Sequence, residues 1–303
     1  MITITDLDQC KSLPPLSAAL GFFDGVHSGH KKLIKSAVDN ARKKNISSAV
    51  VTLSEQPVNF LTGKCVAPIL TSNEIKAELI EGCGVDYLIL LPFNKNMSKM
   101  PAQDFVSEII YGKLNIKYAF CGFNYNFGNK GTGSATALSE YGKMFGFEVV
   151  IIKPVVQSGV VVSSSYIRSL IQNGDIKTAN KYLGYNFYIK EKVVYGNKIG
   201  KSLEYPTLNQ YFPKNYIVPS YGVYATSTLI DGVKYSSVTN VGIRPTIALA
   251  DRENMETFIL DFNEDLYDKK ITVEFVKKIR NEMRFKDIGS LKLQIDRDVE
   301  CRR

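Results

Sequence analysis

A glycine-rich decapeptide, Gly21-Phe22-Phe23-Asp24-Gly25-Val26-His27-Ser28-Gly29-His30, joins an apolar run (Leu16, Ala18, Ala19, Leu20) to a helical pattern (Leu33, Ile34, Ala37, Val38, Ala41). Strand, glycine turn and helix start form the first half of a βαβ unit, which commits a chain to a parallel sheet covered by helices. The alternation continues. Residues 46–53 read as a strand, and Thr71 stands three before Glu74 as a capping box for a helix that Gly82 and Gly84 end. Tyr87–Leu91 reads as a buried strand, Pro101 opens a helix through Tyr111, and residues 118–121 form the next strand. A helix over Ala135–Phe145 and a strand over 147–152 follow. The pattern predicts a doubly wound α/β domain with its ligand site beyond the carboxyl ends of the strands, where the decapeptide lies.

The period changes near Gly184. From Tyr188 the chain is strand-rich: Gly222–Ile230 leads through Asp231-Gly232, a two-residue hairpin turn, into Val233-Lys234-Tyr235. Strands are expected at 256–262 and 271–276, and a terminal helix at 290–299. These elements predict a small antiparallel β-barrel with a C-terminal helix. At 303 residues the chain can hold two cores, and the expected domains are 1–184 and 185–303.

A hydrophobic content of 45% with 22% charged residues indicates a globular chain rather than a disordered one. The net charge of +8 suits an anionic partner such as a nucleotide, although solvated surface lysines account for the excess equally well. The nearest basic block, Arg42-Lys43-Lys44, lies late in a helix, where cations suit the dipole. With no nucleic-acid motif and no aromatic residues interleaved with a basic stripe, nucleic-acid binding is not expected. Five scattered cysteines without a CxxC pair fit buried thiols in a reducing compartment better than a disulfide frame or zinc site. The first residues lack a secretory pattern and no apolar stretch reaches membrane-spanning length, so a cytoplasmic protein without a membrane partner is expected, as a monomer or weak homo-oligomer.

The chain has two histidines, His27 and His30, and both lie in the decapeptide. At i and i+3 on a first helical turn they would point the same way and donate to phosphoryl oxygens whose charge grows in a transition state. Gly25 and Gly29 permit close approach of the backbone to a phosphate chain. With no third histidine, metal binding by the pair is disfavoured. Ser163-Ser164-Ser165 followed by Arg168 reads either as an ordinary helix cap or as an anion site. The segment 122–133 is a flexible turn cluster by composition. Thr207 and Asn209 are two apart and share one face of an extended segment, which suits either a turn or a Mg²⁺ carrying ATP phosphates. Glu256 opens an apolar strand and reads as a solvated strand-end charge.

The decapeptide resembles the HxGH motif of the nucleotidyltransferase superfamily. In its GxFDGxHxGH form it resembles the bacterial bifunctional riboflavin kinase/FMN adenylyltransferase (FAD synthetase) family. Further matches follow in order: Cys121-Gly122-Phe123-Asn124-Tyr125-Asn126-Phe127-Gly128 with the family's flavin- and nucleotide-contacting loop, and Val162-Ser163-Ser164-Ser165-Tyr166-Ile167-Arg168 with its ISSTRIR segment. Tyr205-Pro206-Thr207-Leu208-Asn209 resembles the kinase FPTAN motif, with Asn240-Val241-Gly242-Ile243-Arg244-Pro245-Thr246 and the segment beginning at Glu256 after it.

The resemblance implies a transferase whose first domain adenylylates FMN with ATP, giving FAD and pyrophosphate, and whose second phosphorylates riboflavin with Mg²⁺ and ATP. It implies that His27 and His30 stabilise developing charge while Ser164 and Arg168 hold ATP phosphates. Gly21, Phe22, Phe23, Asp24, Gly25, Gly29, Gly122 and Asn124 would contact nucleotide or flavin. In the second domain it implies nucleotide contacts at Gly200, Lys201, Pro206, Thr207, Asn209 and Arg244, Mg²⁺ ligation at Thr207 and Asn209, and Glu256 as general base. The chain departs from the family pattern at Gln56, where histidine is common, and at Asn126 and Tyr166, where arginine is usual. Lys201 and Glu204 replace the kinase motif's arginine and glycine. These last two keep open an enzyme that retains only the adenylyltransferase; a non-catalytic flavin-binding regulator is the more distant alternative.

Overall fold

The computed structural model describes residues 1–195, 205–244 and 252–303. Two compact units, Met1–Ser164 and Ser165–Arg303, divide the chain. In the first, strands β1 (Ile2–Ile4), β2 (Leu16–Leu20), β3 (Ser47–Leu53), β4 (Tyr87–Leu91), β5 (Ile116–Gly122) and Glu148–Ile152 form one sheet. Its order is β1-β4-β3-β2-β5 and then the last strand, with every pairing parallel. All five residues of β2 are buried, as a central strand covered on both faces requires. From β2 the chain builds outward through β3 and β4, then returns to place β5 on the other side. The switch point therefore lies between β2 and β5, and the loops after these two strands meet at the carboxyl edge.

Helix α1 (Ser28–Lys44) follows β2 and buries Leu33, Ile34, Ala37, Val38 and Ala41, the stripe expected from sequence. The helix expected after Thr71 spans Asn73–Glu81, but its N-cap is Ser72, whose hydroxyl accepts from Ile75 N. Thr71 is engaged elsewhere, as described below. The helix expected from Pro101 continues to Lys113 as a wide turn, closed by Leu114 N donating to Ile109 O at 2.9 Å.

The second unit contains an antiparallel sheet of Tyr188–Lys192, Thr207–Tyr211, Gly222–Ile230, Val233–Arg244, Arg252–Ile259 and Lys270–Arg280. A bridge from Val194 to Asn209 joins the two edges and nearly closes the barrel. Asp231 and Gly232 both have left-handed φ (46° and 83°) in the tight turn that their sequence predicts. The strand expected at 256–262 instead runs from Arg252 to Ile259. Leu260 N still bonds Ser236 O in the same register, and the extended backbone ends at Asp261, which adopts φ 55°. Helix Ile176–Leu183 belongs to this unit: Asn180 Nδ2 donates to Phe275 O and Asn180 Oδ1 accepts from Phe187 N, both at 2.8 Å. The C-terminal helix, Ile288–Glu300, packs against the barrel through Val299 and Ile295.

Candidate functional site

In the first unit a cavity of about 530 Å³ opens at the carboxyl ends of β2, β3, β4 and β5. The decapeptide forms one wall. Phe23 (φ 53°) and Val26 (φ 33°) hold left-handed backbone conformations that non-glycine residues rarely adopt, and both are buried. The fold imposes this strain with a set of hydrogen bonds. The Asp24 carboxylate accepts from Leu70 N (2.9 Å) and Thr71 N (3.2 Å), and the Thr71 hydroxyl accepts from Gly25 N (3.0 Å). Thr52 Oγ1 donates to Phe22 O at 2.8 Å, and Ser164 Oγ donates to Asp24 O at 2.9 Å.

His27 is the N-cap of α1, one position before the first helical turn on which it was expected. Its Nδ1 accepts from His30 N at 3.3 Å. The two imidazoles still lie together, stacked with centroids 3.6 Å apart at 15°. A Cβ on Gly29 would approach His27 Cε1 to 3.1 Å, so glycine is what allows the stack its place. His27 is buried, whereas His30 lines the cavity with Gly21, Phe22, Phe23, Asp24 and Ser164. Gly122 and Asn124 line it from the loop after β5, beside Tyr125, whose phenol burial pushes up into a firmly protonated state. Arg168 stands four residues beyond Ser164 on helix Ser164–Gln172, within the second compact unit.

In the second unit a cavity of about 610 Å³ lies between the barrel wall and the C-terminal helix. Glu256 lies mid-row on its wall: its cross-strand partners are Asn209 on one side and Asn240 on the other. Direct cross-strand partners share a face, so the row presents two amides flanking one carboxylate. Thr207 and Asn209 are on one face, as two-residue spacing predicts. Asn209 is buried and its Oδ1 has no hydrogen-bond partner among the described residues, an orphaned hard oxygen of the kind a divalent cation takes. A second cavity of about 290 Å³ is lined by Pro206, Thr207, Leu208 and Thr257. Thr207 is the lining residue common to both cavities. Gly200 and Lys201, with the departure at Glu204, lie outside the described residues, as does the Arg244 side chain. Among the described residues there is no cluster of three or more His, Cys, Asp or Glu side chains that could hold a metal.

Several residues that shape these cavities have no counterpart among the sequence-derived candidates. Thr52 and Thr71 secure the decapeptide, and Lys76 lies fully buried against it. In the barrel, Arg280 and Asp298 form a paired wall of the larger cavity. The one local signal was Lys76, a lysine next to Ile75 and four residues before Ile80, among the apolar residues of its helix.

The FAD synthetase family matches residues 10–166, and the riboflavin kinase family matches residues 183–303. A bifunctional riboflavin kinase/FMN adenylyltransferase from Buchnera aphidicola subsp. Schizaphis graminum is 35% identical over 99% of this chain and 97% of its own length. Its counterpart from Bacillus subtilis is 34% identical over 97% and 92%. A solved structure from Streptococcus pneumoniae, described as a macrolide-efflux protein, superposes with a TM-score of 0.90 at 30% identity, covering 100% of this chain and 99% of that one. Among the described residues, no helix is long and apolar enough to cross a membrane.

Proposed function

The chain belongs to the bifunctional riboflavin kinase/FMN adenylyltransferase family, and from that premise we propose that its two cavities carry the family's two reactions. Residues 185–303 phosphorylate riboflavin with ATP, and residues 1–184 adenylylate the resulting FMN to FAD with release of pyrophosphate. The observation that carries this reading is that each unit has its own cavity walled by its own motif residues: His30 and Ser164 in the first, Thr207 and Glu256 in the second.

In adenylyl transfer an FMN phosphate oxygen bonds to the α-phosphorus of ATP and the bond to the β-phosphate oxygen breaks. No group on the protein needs to become covalently attached, so catalysis is positioning and charge stabilisation. His30 donates toward the phosphoryl oxygens, and His27, stacked beneath it and capping α1, fixes its ring. Ser164 holds the departing phosphates. Asn124, Gly122 and the backbone around Gly21, Gly25 and Gly29 seat the nucleotide and flavin.

In the kinase half, riboflavin occupies the larger cavity and ATP the smaller, so that Thr207 lies where the two substrates meet. Glu256 accepts the proton of the ribityl hydroxyl as its oxygen bonds to the γ-phosphorus. Thr207 and the orphaned Asn209 oxygen would hold Mg²⁺, which neutralises charge on the phosphates when bound. Gly200, Lys201, Pro206 and Arg244 complete the nucleotide contacts.

Separation-of-function variants test this. Glu256→Gln should abolish FMN formation from riboflavin while FMN is still converted to FAD, and His30→Ala should do the reverse. Loss of both activities in either variant would overturn the two-site reading.

A further inference from the structure

Lys76 lies on helix Asn73–Glu81 and is 1% exposed, although the other buried residues of that helix, Ile75 and Ile80, are apolar. Its ammonium donates to Leu53 O, at the carboxyl end of β3, at 3.4 Å, and lies 4.3 Å from the centre of the Phe22 ring. Asp24 supplies the countercharge. Phe22, Asp24 and Leu53 all line the first cavity, whereas Lys76 does not reach it. A buried ammonium is expensive, and a methionine would span the same volume without that cost. The cost here is visible: burial lowers Lys76 to about 8, with Asp24 opposing the shift. A cation kept in such a place, held against Leu53 and Phe22 of that wall, serves the wall.

We propose that Lys76 is a positioning residue for adenylyl transfer, its buried ammonium clamping the Phe22–Asp24 end of the decapeptide to the end of β3 so that His27 and His30 are held in register with the cavity. This rests on the adenylyltransferase reading above. Lys76 touches neither ATP nor FMN; it acts through the loop. The loop is already strained at Phe23 and Val26, so it depends on outside contacts to keep its shape.

The test uses the full chain, with Lys76→Met and Lys76→Gln made in parallel. FMN adenylylation, riboflavin phosphorylation and thermal unfolding are measured on each. Misplacing the loop should lower kcat for FAD formation about tenfold or more, with KM for ATP changed less than about threefold. Riboflavin phosphorylation should be unchanged, and both variants should melt at or above the wild-type temperature because a buried charge has been removed. Unchanged kcat refutes the role. So does a loss of activity accompanied by a lower melting temperature or failure to fold, which would make Lys76 simply structural. A defect in only one variant would point to shape rather than charge and would also overturn it. Wild-type protein that makes no FAD from FMN and ATP would instead refute the adenylyltransferase reading itself.

Discussion

Replacing Asp298 by asparagine should unfasten the C-terminal helix from the barrel and silence the kinase half while leaving adenylyl transfer intact. Asp298 is 2% exposed and takes three contacts from Arg280: Nε at 3.0 Å to each carboxylate oxygen and Nη2 at 2.7 Å to Oδ2. Gln294 Nε2 adds a fourth at 2.9 Å. Both members of the pair wall the larger barrel cavity. Asparagine keeps the shape but turns an NH₂ toward the guanidinium and leaves the arginine without its countercharge. Breaking a buried pair from one side costs about 3–5 kcal/mol. The Arg280 side chain is 17% exposed and can hydrate in part, which favours the lower end, about 3 kcal/mol. For a unit the size of Ser165–Arg303 that corresponds to a fall in melting temperature of about 10 °C.

Differential scanning calorimetry with hydrogen exchange resolves which unit is affected: protection should be lost over 270–300 and retained in Met1–Ser164. An apolar pair of similar volume, Arg280→Met with Asp298→Leu, should recover most of the stability but not the kinase activity, because the cavity wall has lost its polar groups. The reasoning is refuted if Asp298→Asn melts within about 2 °C of wild type, too small a shift for a buried pair broken from one side, or if the lost protection appears in the first unit.

Three further outcomes follow from the geometry. His30→Ala should reduce FAD formation by about a hundredfold or more while riboflavin phosphorylation stays at wild-type rate, as steady-state assays of each half-reaction would show. Lys76, held at about 8 against an ordinary 10.5, loses its proton in the folded chain before the unfolded one, so stability should rise with pH between those values. The difference in unfolding free energy between wild type and Lys76→Met should therefore change by about 3 kcal/mol from pH 7 to pH 10.5, and a pH-independent difference would contradict the burial argument. Gly128→Ala should cost about 2 kcal/mol, because φ is 74° there and the new Cβ would fall 2.6 Å from Ala102 Cα. Its thermal unfolding and its KM for FMN read the strain and the displaced loop respectively.

The strand–helix alternation was legible because each segment carries its own period, and β4 could be recognised as a buried strand from its unbroken apolar run, Tyr87–Leu91. The strand order was not. The three-residue β1 is too short to show a period, and its parallel partner β4 lies more than eighty residues away. Thr71 and Ser72 are adjacent hydroxyls with equal claim to the helix cap; Asp24 and Gly25, nearly fifty residues upstream, engage Thr71 and leave the cap to Ser72. The histidine pair was legible as a pair, but its stacking depends on His27 standing one step outside the helix, a backbone matter decided by the left-handed Val26. In the barrel, the two-residue spacing of Thr207 and Asn209 announced a shared face. That Glu256 lies directly across from Asn209 is a matter of register between strands nearly fifty residues apart. Arg280 and Asp298 carried no local signal, since each reads alone as a surface charge.

The central claim is that one chain performs two consecutive transfers in two separate sites. Purified protein supplied with riboflavin, Mg²⁺ and excess ATP, and sampled over time by chromatography of its flavins, tests it most directly. FMN should appear first and FAD after it, with pyrophosphate released in step with FAD. Riboflavin that stays unconverted while added FMN becomes FAD would contradict the claim and leave a monofunctional adenylyltransferase.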